Sequence, residues 1–330
     1  MIIPTRADGG AVAACCVAAL EPQLRPRDEL FVSVDGTAES ATLGDAGRAR
    51  IVEGDRAGPG MARNRALKLA SSELVLFLND DVVAAPDLLD RHRAAHEACG
   101  RPSMILGSAP WHRPKDDLII DRMLRETSMV FFYDRMANVN AGKDWGYRHA
   151  WTLNLSIPRA IASEFDPLLT QPMFDDLEWA YRVQLTHAAP VLYRPEARVT
   201  HHHRYLPEQL LRREALLGHQ TVTLMRCNPS CGHAVFGERF DPDRTNAATH
   251  EHALQALRDD AHIAFDRFAS LGPQPASTIG DTEFTDLFRD ARVWRDYARS
   301  FGFVGAVRGT SVEDVQQAVI DEMAVTTRLA

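Results

Sequence analysis

The sequence lacks the long apolar segments and the basic clusters that are typical of membrane proteins and nucleic-acid-binding proteins. No window approaches the roughly 20 consecutive apolar residues that a membrane-spanning helix requires. The net charge is -8, and no block of Lys and Arg makes a local exception. We therefore expect no nucleic acid among the partners and no transmembrane segment. The charge also disfavours a polybasic membrane anchor, although a peripheral membrane association would leave no such trace.

Cysteine is also scarce, and its placement argues against a disulfide framework. The chain has five cysteines, an odd number, and Cys15 and Cys16 are adjacent within a helix-like stretch. This pattern indicates a reducing compartment. Residues 1–10 show neither the basic region nor the long apolar stretch of a signal peptide, so we expect a cytoplasmic protein. Cys227 and Cys231 are loosely spaced and lack a second cysteine pair, which disfavours a structural zinc site.

What the sequence does contain is an alternation of short apolar runs and helical patterns over residues 1–107. Strands are predicted at 1–4, 30–34, 50–52, 74–78 and 104–107. Helices are predicted at 10–20, at 87–98, and from the end of Gly58-Pro59-Gly60 to about Ala70. This alternation is typical of a Rossmann-like α/β fold with a mostly parallel, doubly wound sheet. Ligands of such sheets bind beyond the carboxyl ends of the strands, which here are Pro4-Thr5-Arg6, Asp35 and Asn79-Asp80-Asp81.

The rest of the chain alternates less regularly and then becomes helical. Further strands are predicted at 151–157, 191–193 and 198–203, and a helix at 175–185. From Leu206 onward, helices are predicted at 207–227, 247–271, 281–301 and 311–324. The aromatic residues between Trp111 and Trp151 could stack on a sugar or an apolar acceptor, or could simply pack in the core.

The segment Leu74–Val82 ends a buried apolar strand in two adjacent carboxylates, Asp80 and Asp81. Such a pair repels itself and is costly to desolvate unless a positive group joins it. A hard divalent cation suits the position, because Mg²⁺ prefers one or two carboxylates together with substrate phosphates. The alternative is a solvated turn in which an Asp caps the next helix.

Three further segments carry candidate functional groups. Gly58-Pro59-Gly60 leads into a helix whose first turn carries Arg63, a residue suited to phosphate. Asp175 and Asp176 begin a helix, where a carboxylate could act as a general base or simply cap the helix. His201 and His203 share one face of a predicted strand, and they are either metal ligands or a surface histidine cluster.

Taken together and in this order, these features resemble the inverting family 2 glycosyltransferases with the GT-A fold. The resemblance covers about residues 1–205 and rests on the order and spacing of the motifs, each of which is unspecific alone. The segments that carry it are Ile2–Arg6, Asp35–Thr37, Arg63-Asn64, Leu78–Asp81, Thr152–Ser156, Phe165-Asp166, Asp175–Arg182 and Val199–His203.

The resemblance implies a role for each matching residue. Nucleotide-sugar binding would involve the residues Pro4, Thr5, Arg6, Asp35, Arg63 and Asp80, with Asn154 near the donor sugar or the acceptor. Asp81, together with Asp80, would coordinate Mn²⁺ or Mg²⁺, and His201 or His203 would be a further ligand. Asp176 matches the catalytic base, and Asp175 stands where a Glu is more usual.

Three departures from the family pattern bear on the function. Val34 stands where a second acidic residue usually precedes Asp35, and Asn79 stands where the metal motif usually begins with Asp. The chain also lacks the Gln-x-x-Arg-Trp motif and the membrane spans of processive synthases, so single addition is expected.

The resemblance therefore implies an inverting, metal-dependent transfer of a sugar from a nucleoside-diphosphate-sugar, with UDP as the expected nucleotide. The acceptor would be a saccharide, a lipid-linked molecule or a small molecule. We expect a catalytic domain at 1–205 and a helical region at 206–330 that covers the acceptor or forms a homodimer interface. The alternatives are a sugar-phosphate nucleotidylyltransferase and a non-catalytic nucleotide-binding relative.

Overall fold

The computed structural model describes the chain except for residues 7, 38–46, 137–139, 141, 245–246 and 325–330. The strands are β1 (Ile2–Arg6), β2 (Phe31–Asp35), β3 (Arg50–Val52), β4 (Leu74–Leu78), β5 (Val82–Ala84), β6 (Met104–Ser108), β7 (Asn154–Pro158) and β8 (Val191–His201). The helices are α1 (Gly10–Leu20), α2 (Pro59–Leu69), α3 (Leu88–Cys99), α4 (Ile119–Glu126), α5 (Asp175–His187), α6 (Pro207–Cys227), α7 (Pro229–Phe236), α8 (Ala247–Leu271), α9 (Asp281–Val307) and α10 (Val312–Ala324).

The chain forms two compact units. The first comprises Met1–His112 and Phe131–His203, and the second comprises Arg113–Val130 and Arg204–Ala330. The segment that carries α4 thus belongs to the second unit although it interrupts the first in sequence. The predicted division at residue 205 stays a prediction. None of the helices in the described ranges is long and apolar enough to cross a membrane.

The first unit is built on one mixed sheet whose described strands run in the order β3-β2-β1-β4-β7-β6-β8-β5. The pairings β1–β2, β1–β4, β2–β3 and β6–β8 are parallel. β7 is antiparallel to both of its neighbours, and β5 is antiparallel to β8. The predicted α/β class is confirmed. Because β7 runs against β4, its amino end lies beside the carboxyl end of β4, where Asn154 pairs with Leu78.

Both faces of this sheet are buried, which explains the continuous apolar runs of its strands. Along β4, Val75 and Phe77 pack on one face and Leu76 and Leu78 on the other. Helices α2 and α5 cover the first face, and α1 and α3 cover the second. Trp179 of α5 meets the ring of Phe77 edge-on, with 5.6 Å between centroids. Full burial of one such side chain contributes about 1.5–3 kcal/mol.

The structure differs from several predicted elements. β8 is one continuous strand rather than two, because its pairing with β6 continues across a register shift after Gly107. β7 begins at Asn154 instead of Trp151, and the three-residue strand β5 was not predicted. The short helices α4 and α7 were also missed. Each spans only eight residues, so the helical period has little length in which to show.

A buried polar network ties α3 to β7. His92 Nδ1 lies 2.7 Å from Ser156 Oγ, and its Nε2 lies 2.9 Å from Asn154 Oδ1. His96 Nε2 lies 2.8 Å from the same Ser156 Oγ. The amide oxygen of Asn154 can only accept, so His92 donates to it, Ser156 donates to His92, and His96 donates to Ser156. Burial lowers the pKa of both imidazoles to about 4, which keeps them neutral as this order requires.

The second unit is held by close helix packing and a buried charge cluster. α6 and α9 approach so closely that a Cβ on Gly218 would lie 1.8 Å from the carbonyl oxygen of Arg299. Glu214 of α6 is fully buried and paired with Arg213 at 3.0 Å, Arg295 at 3.4 Å and Arg299 at 2.5 Å. Burial alone would raise the pKa of Glu214, but the three cations outweigh it and hold the pKa below its usual range. Glu214 therefore stays charged inside the helical core.

We predict that His92→Gln weakens the acid sensitivity of folding. The folded-state pKa of His92 is about 4, against about 6.5 in an unfolded chain. Its contribution to stability is therefore present above pH 6.5 and is lost as the pH falls toward 4. Urea unfolding at pH 7.5 and 5.5 should show that the variant loses less stability than the wild type, by about 1 kcal/mol.

The matched control for this experiment is His187→Gln, at an exposed histidine at the end of α5. It should leave the pH dependence of stability unchanged. An equal loss of stability in wild type and His92→Gln over this pH range would contradict the assignment of a neutral, buried His92.

Candidate active site

The loop after β4 places Asp80 beside β1. Thr5 Oγ1 donates a hydrogen bond of 2.7 Å to Asp80 Oδ2, so the end of β1 orients this carboxylate. Burial raises the pKa of Asp80, and the negative charge of Asp81 adds to the rise, while the Thr5 hydrogen bond opposes it. A nearby cation would stabilise the ionised form of this buried carboxylate.

Asp81 meets both predicted histidines. Its Oδ2 lies 3.1 Å from His201 Nε2 and 3.5 Å from His203 Nδ1. Burial alone would raise the pKa of Asp81, but the hydrogen bonds from the two imidazoles outweigh it, and the pKa lies well below its usual range. Trp111 stacks on the His201 ring at a centroid distance of 4.2 Å and fixes its orientation.

The cluster of Asp81, His201 and His203 has side chains that can bind a cation, but these side chains are hydrogen-bonded to one another. Over the described residues, no group of three or more His, Cys, Asp or Glu side chains has the arrangement of a metal site. Asp81 Oδ1 and His201 Nδ1 are nevertheless buried without a hydrogen-bond partner in that part of the chain. A carboxylate oxygen is a ligand that Mg²⁺ and Mn²⁺ accept, so the unpartnered Oδ1 of Asp81 suits a divalent cation.

The carboxylates of Asp175 and Asp176 lie at the amino end of α5. The preceding residue, Phe174, has a φ of 65°, a left-handed conformation that costs a bulky residue on the order of 1–3 kcal/mol. Asp176 Oδ2 accepts a 3.4 Å hydrogen bond from the backbone N–H of Thr152, and its Oδ1 accepts one from Leu177 N–H. Burial, together with the adjacent charge of Asp175, raises the pKa of Asp176 to about 7. A carboxyl group in this range is suited to general base catalysis near neutral pH.

Arg63 joins this acid pair to the loop after β4. Its Nη1 donates to Asp175 Oδ2 at 2.9 Å, and its Nη2 donates to Asn79 Oδ1 at 3.2 Å. Only 5% of the Arg63 side chain and 6% of the Asp175 side chain are exposed. Arg63 Nε is buried without a hydrogen-bond partner among the described residues, and the nucleotide contact of Arg63 stays a prediction.

Asn154 also differs from its predicted role. Its side chain is fully buried, and its amide donates to the carbonyl oxygens of Ser108 and Ala197. Its oxygen accepts from His92, so no polar atom of the side chain is left for a substrate. Asn154 instead anchors the amino end of β7 inside the sheet.

The remaining predicted nucleotide residues lie at the ends of β1 and β2. Asp35 accepts hydrogen bonds of 2.7 Å from Ala57 N–H and 3.0 Å from Gly58 N–H, which fixes the loop before α2. Gly58 is required there, because a Cβ would lie 2.1 Å from the carbonyl oxygen of Thr170. Pro4 is buried within β1, whereas Arg6 is exposed and lies 3.3 Å from Asp8.

Sequence reasoning missed the aromatic residues that connect the two carboxylate clusters. The ring centroid of Phe131 lies 6.1 Å from that of Trp111 and 5.3 Å from that of Trp151. Trp111 in turn stacks on His201. Trp151 immediately precedes Thr152, whose N–H contacts Asp176. The abundance of aromatics in this stretch was the available signal, but it did not show which ring faces which cluster.

Comparison with known proteins gives a family match over part of the chain and several similar solved structures. Residues 1–154 match the family described as Glycosyl transferase family 2. No curated protein matches the chain. Among solved structures, the mannosyltransferase PcManGT from Pyrobaculum calidifontis, in complex with GDP-Man and Mn²⁺, is similar with a TM-score of 0.54 and 16% identity. The match covers 94% of this chain and 87% of that one.

A second similar structure is residues 1–349 of TarS from S. aureus, with a TM-score of 0.47 and 15% identity. That match covers 94% of this chain and 91% of that one. At 16% identity, the likeness to PcManGT shows a shared GT-A fold but not a shared substrate or reaction. The family match rests on the amino-acid sequence itself. Residues 1–154 are thus similar in sequence to family 2 glycosyltransferases, and the chain shares the GT-A fold.

Proposed function

We propose that the protein transfers one sugar from a nucleoside-diphosphate-sugar, with UDP as the first candidate, to an acceptor hydroxyl with inversion at the anomeric carbon. The observation that carries this proposal is the half-buried Asp176, whose pKa of about 7 lies in the working range of a general base. The acceptor would be a saccharide, a lipid-linked molecule or a small molecule, and the reaction would be cytoplasmic.

The donor would bind at the carboxyl ends of β1, β2 and β4. Asp80 and Asp81, with His201 or His203, would hold Mn²⁺ or Mg²⁺. When bound, such an ion neutralises the charge of a departing nucleoside diphosphate. The unpartnered Oδ1 of Asp81 supports this assignment, as does the presence of Mn²⁺ and GDP-Man in the PcManGT complex. Arg6, which is exposed at the end of β1, is free to contact the nucleotide.

Asp176 would accept the proton of the acceptor hydroxyl. The acceptor oxygen would then form its bond to the anomeric carbon as the bond from that carbon to the diphosphate oxygen breaks. A single displacement of this kind inverts the anomeric configuration. Asp175 would remain paired with Arg63 and would act by positioning, since its carboxylate is already used in that ion pair.

The helical region 206–330 remains proposed as an acceptor cover or a homodimer interface. Single addition rather than processive synthesis also remains a proposal. It is supported by the lack of the Gln-x-x-Arg-Trp motif in the sequence.

We predict metal-dependent nucleotide binding through Asp81. Titration calorimetry with UDP and with GDP should show binding of one nucleotide in Mn²⁺ that weakens at least about tenfold in EDTA. Asp81→Ala should abolish the difference between the two conditions. Glu97→Ala, an exposed acidic residue on α3, is the matched control and should bind as the wild type does. Absence of binding by either nucleotide, with or without metal, would overturn the proposed function.

We also predict that turnover requires the ionised form of Asp176. Release of nucleoside diphosphate from UDP- and GDP-sugars can be followed with water in place of the acceptor. The rate should rise with pH and level off above about 7, because the base must be deprotonated. Asp176→Asn should lower kcat by about 100-fold or more without changing nucleotide affinity. Full activity in Asp176→Asn would exclude this residue as the base.

A further prediction separates a positioning role of Arg63 from a nucleotide contact. Arg63→Met removes the cation that opposes the rise in the Asp176 pKa, so the acid limb of the rate profile should move up by about one pH unit. Arg63→Lys keeps the positive charge, so its acid limb should lie close to that of the wild type. If Arg63 instead binds nucleotide, calorimetry will show weaker UDP or GDP binding in Arg63→Met with an unmoved acid limb.

A further inference from the structure

A hollow of about 460 Å³ opens among α8, α9 and α10 in the second unit. Its volume lies within the range of small-molecule sites, which is about 300–1,000 Å³. Apolar side chains from all three helices line it, namely Leu254, Phe301, Val304, Val315 and Ala318. None of these residues belongs to the candidate active site. The hollow therefore offers an apolar surface that the transfer reaction leaves unexplained.

Two arginine–carboxylate pairs also line the hollow. Arg258 Nε lies 2.6 Å from Glu322 Oε1, and Arg308 Nη2 lies 2.5 Å from Glu251 Oε1. Tyr297, which is almost fully buried, donates a further hydrogen bond of 3.2 Å to Glu322. Each cation is neutralised by its partner, so an anionic ligand would meet two carboxylates and a cationic ligand two guanidinium groups. The charge balance favours an uncharged ligand.

The hollow retains unused hydrogen-bonding groups. Arg258 itself is occupied, because it contacts both Glu322 and Tyr297. The side chains of Gln255 and Thr310 also line the hollow, and neither makes a side-chain hydrogen bond in the part of the chain that the structure describes.

We infer that this hollow binds an uncharged saccharide. A sugar ring has apolar C–H faces that suit the ring of Phe301 and the aliphatic floor. Its edge carries hydroxyl groups that both donate and accept hydrogen bonds, as the side chains of Gln255 and Thr310 require. The site gives the helical unit a glycan-holding function that is separate from sugar transfer and does not depend on it.

The test uses the full-length protein on an array of immobilised oligosaccharides. The array carries neutral oligomers of glucose, galactose, mannose and N-acetylglucosamine, together with sialylated and sulphated glycans. We expect the wild type to bind at least one neutral glycan. Ala318→Trp should weaken that binding by about tenfold or more, because the exposed Ala318 lines the hollow and the indole would fill it. Gln255→Ala should weaken it less.

The matched control is Glu313→Trp, which places the same indole on an exposed position of α10 outside the hollow. It should bind glycans as the wild type does. Nucleotide binding by all three variants should be unchanged, so a failure of this site is distinguishable from a failure of the proposed transferase activity. Binding of acidic glycans alone, binding that survives Ala318→Trp, or no glycan binding would each overturn the inference.

Discussion

A buried ion pair between Arg63 and Asp175 joins the two parts of the candidate active site. Burying two charges is costly, and removing one partner of such a pair destabilises a protein by about 3–5 kcal/mol. This pair affects the neighbouring Asp176. Burial and the charge of Asp175 raise the pKa of Asp176, and the positive charge of Arg63 opposes that rise. Without that cation, two adjacent carboxylates at one helix start could not both ionise near neutral pH.

The same guanidinium group fixes the geometry between the base and the metal loop. Its second terminal nitrogen holds Asn79, the residue before Asp80 and Asp81. The loop after β4 and the start of α5 therefore keep a set distance through one rigid side chain. The left-handed Phe174 and the N–H of Thr152 complete the placement of α5, so the position of Asp176 depends on backbone strain and on the start of β7 as well as on charge.

The second unit also keeps a buried carboxylate ionised by surrounding it with arginine side chains, but this cluster is not part of the candidate active site. Glu214 is buried among three arginines and stays ionised, and the glycine contact between α6 and α9 brings those helices close enough to enclose it. Around the hollow between α8, α9 and α10, by contrast, each arginine is paired with one carboxylate. The fully buried charge cluster around Glu214 is structural, whereas the neutral ion pairs beside the apolar floor of the hollow suit a polar, uncharged ligand.

The sequence by itself determined the kind of fold and the positions of the acidic motifs. Apolar runs with strand and helix periods report burial, and a buried strand that ends in Asp80 and Asp81 can be recognised locally. The tertiary structure alone decided that Arg63 faces Asp175, a partner 112 residues away, and that Asn154 is consumed by the network of His92. It also decided the antiparallel direction of β7 and the membership of α4 in the second unit. The reason is that periodicity along a chain records whether a residue is buried, but neither the direction of a strand nor the distant side chain that neutralises a charge.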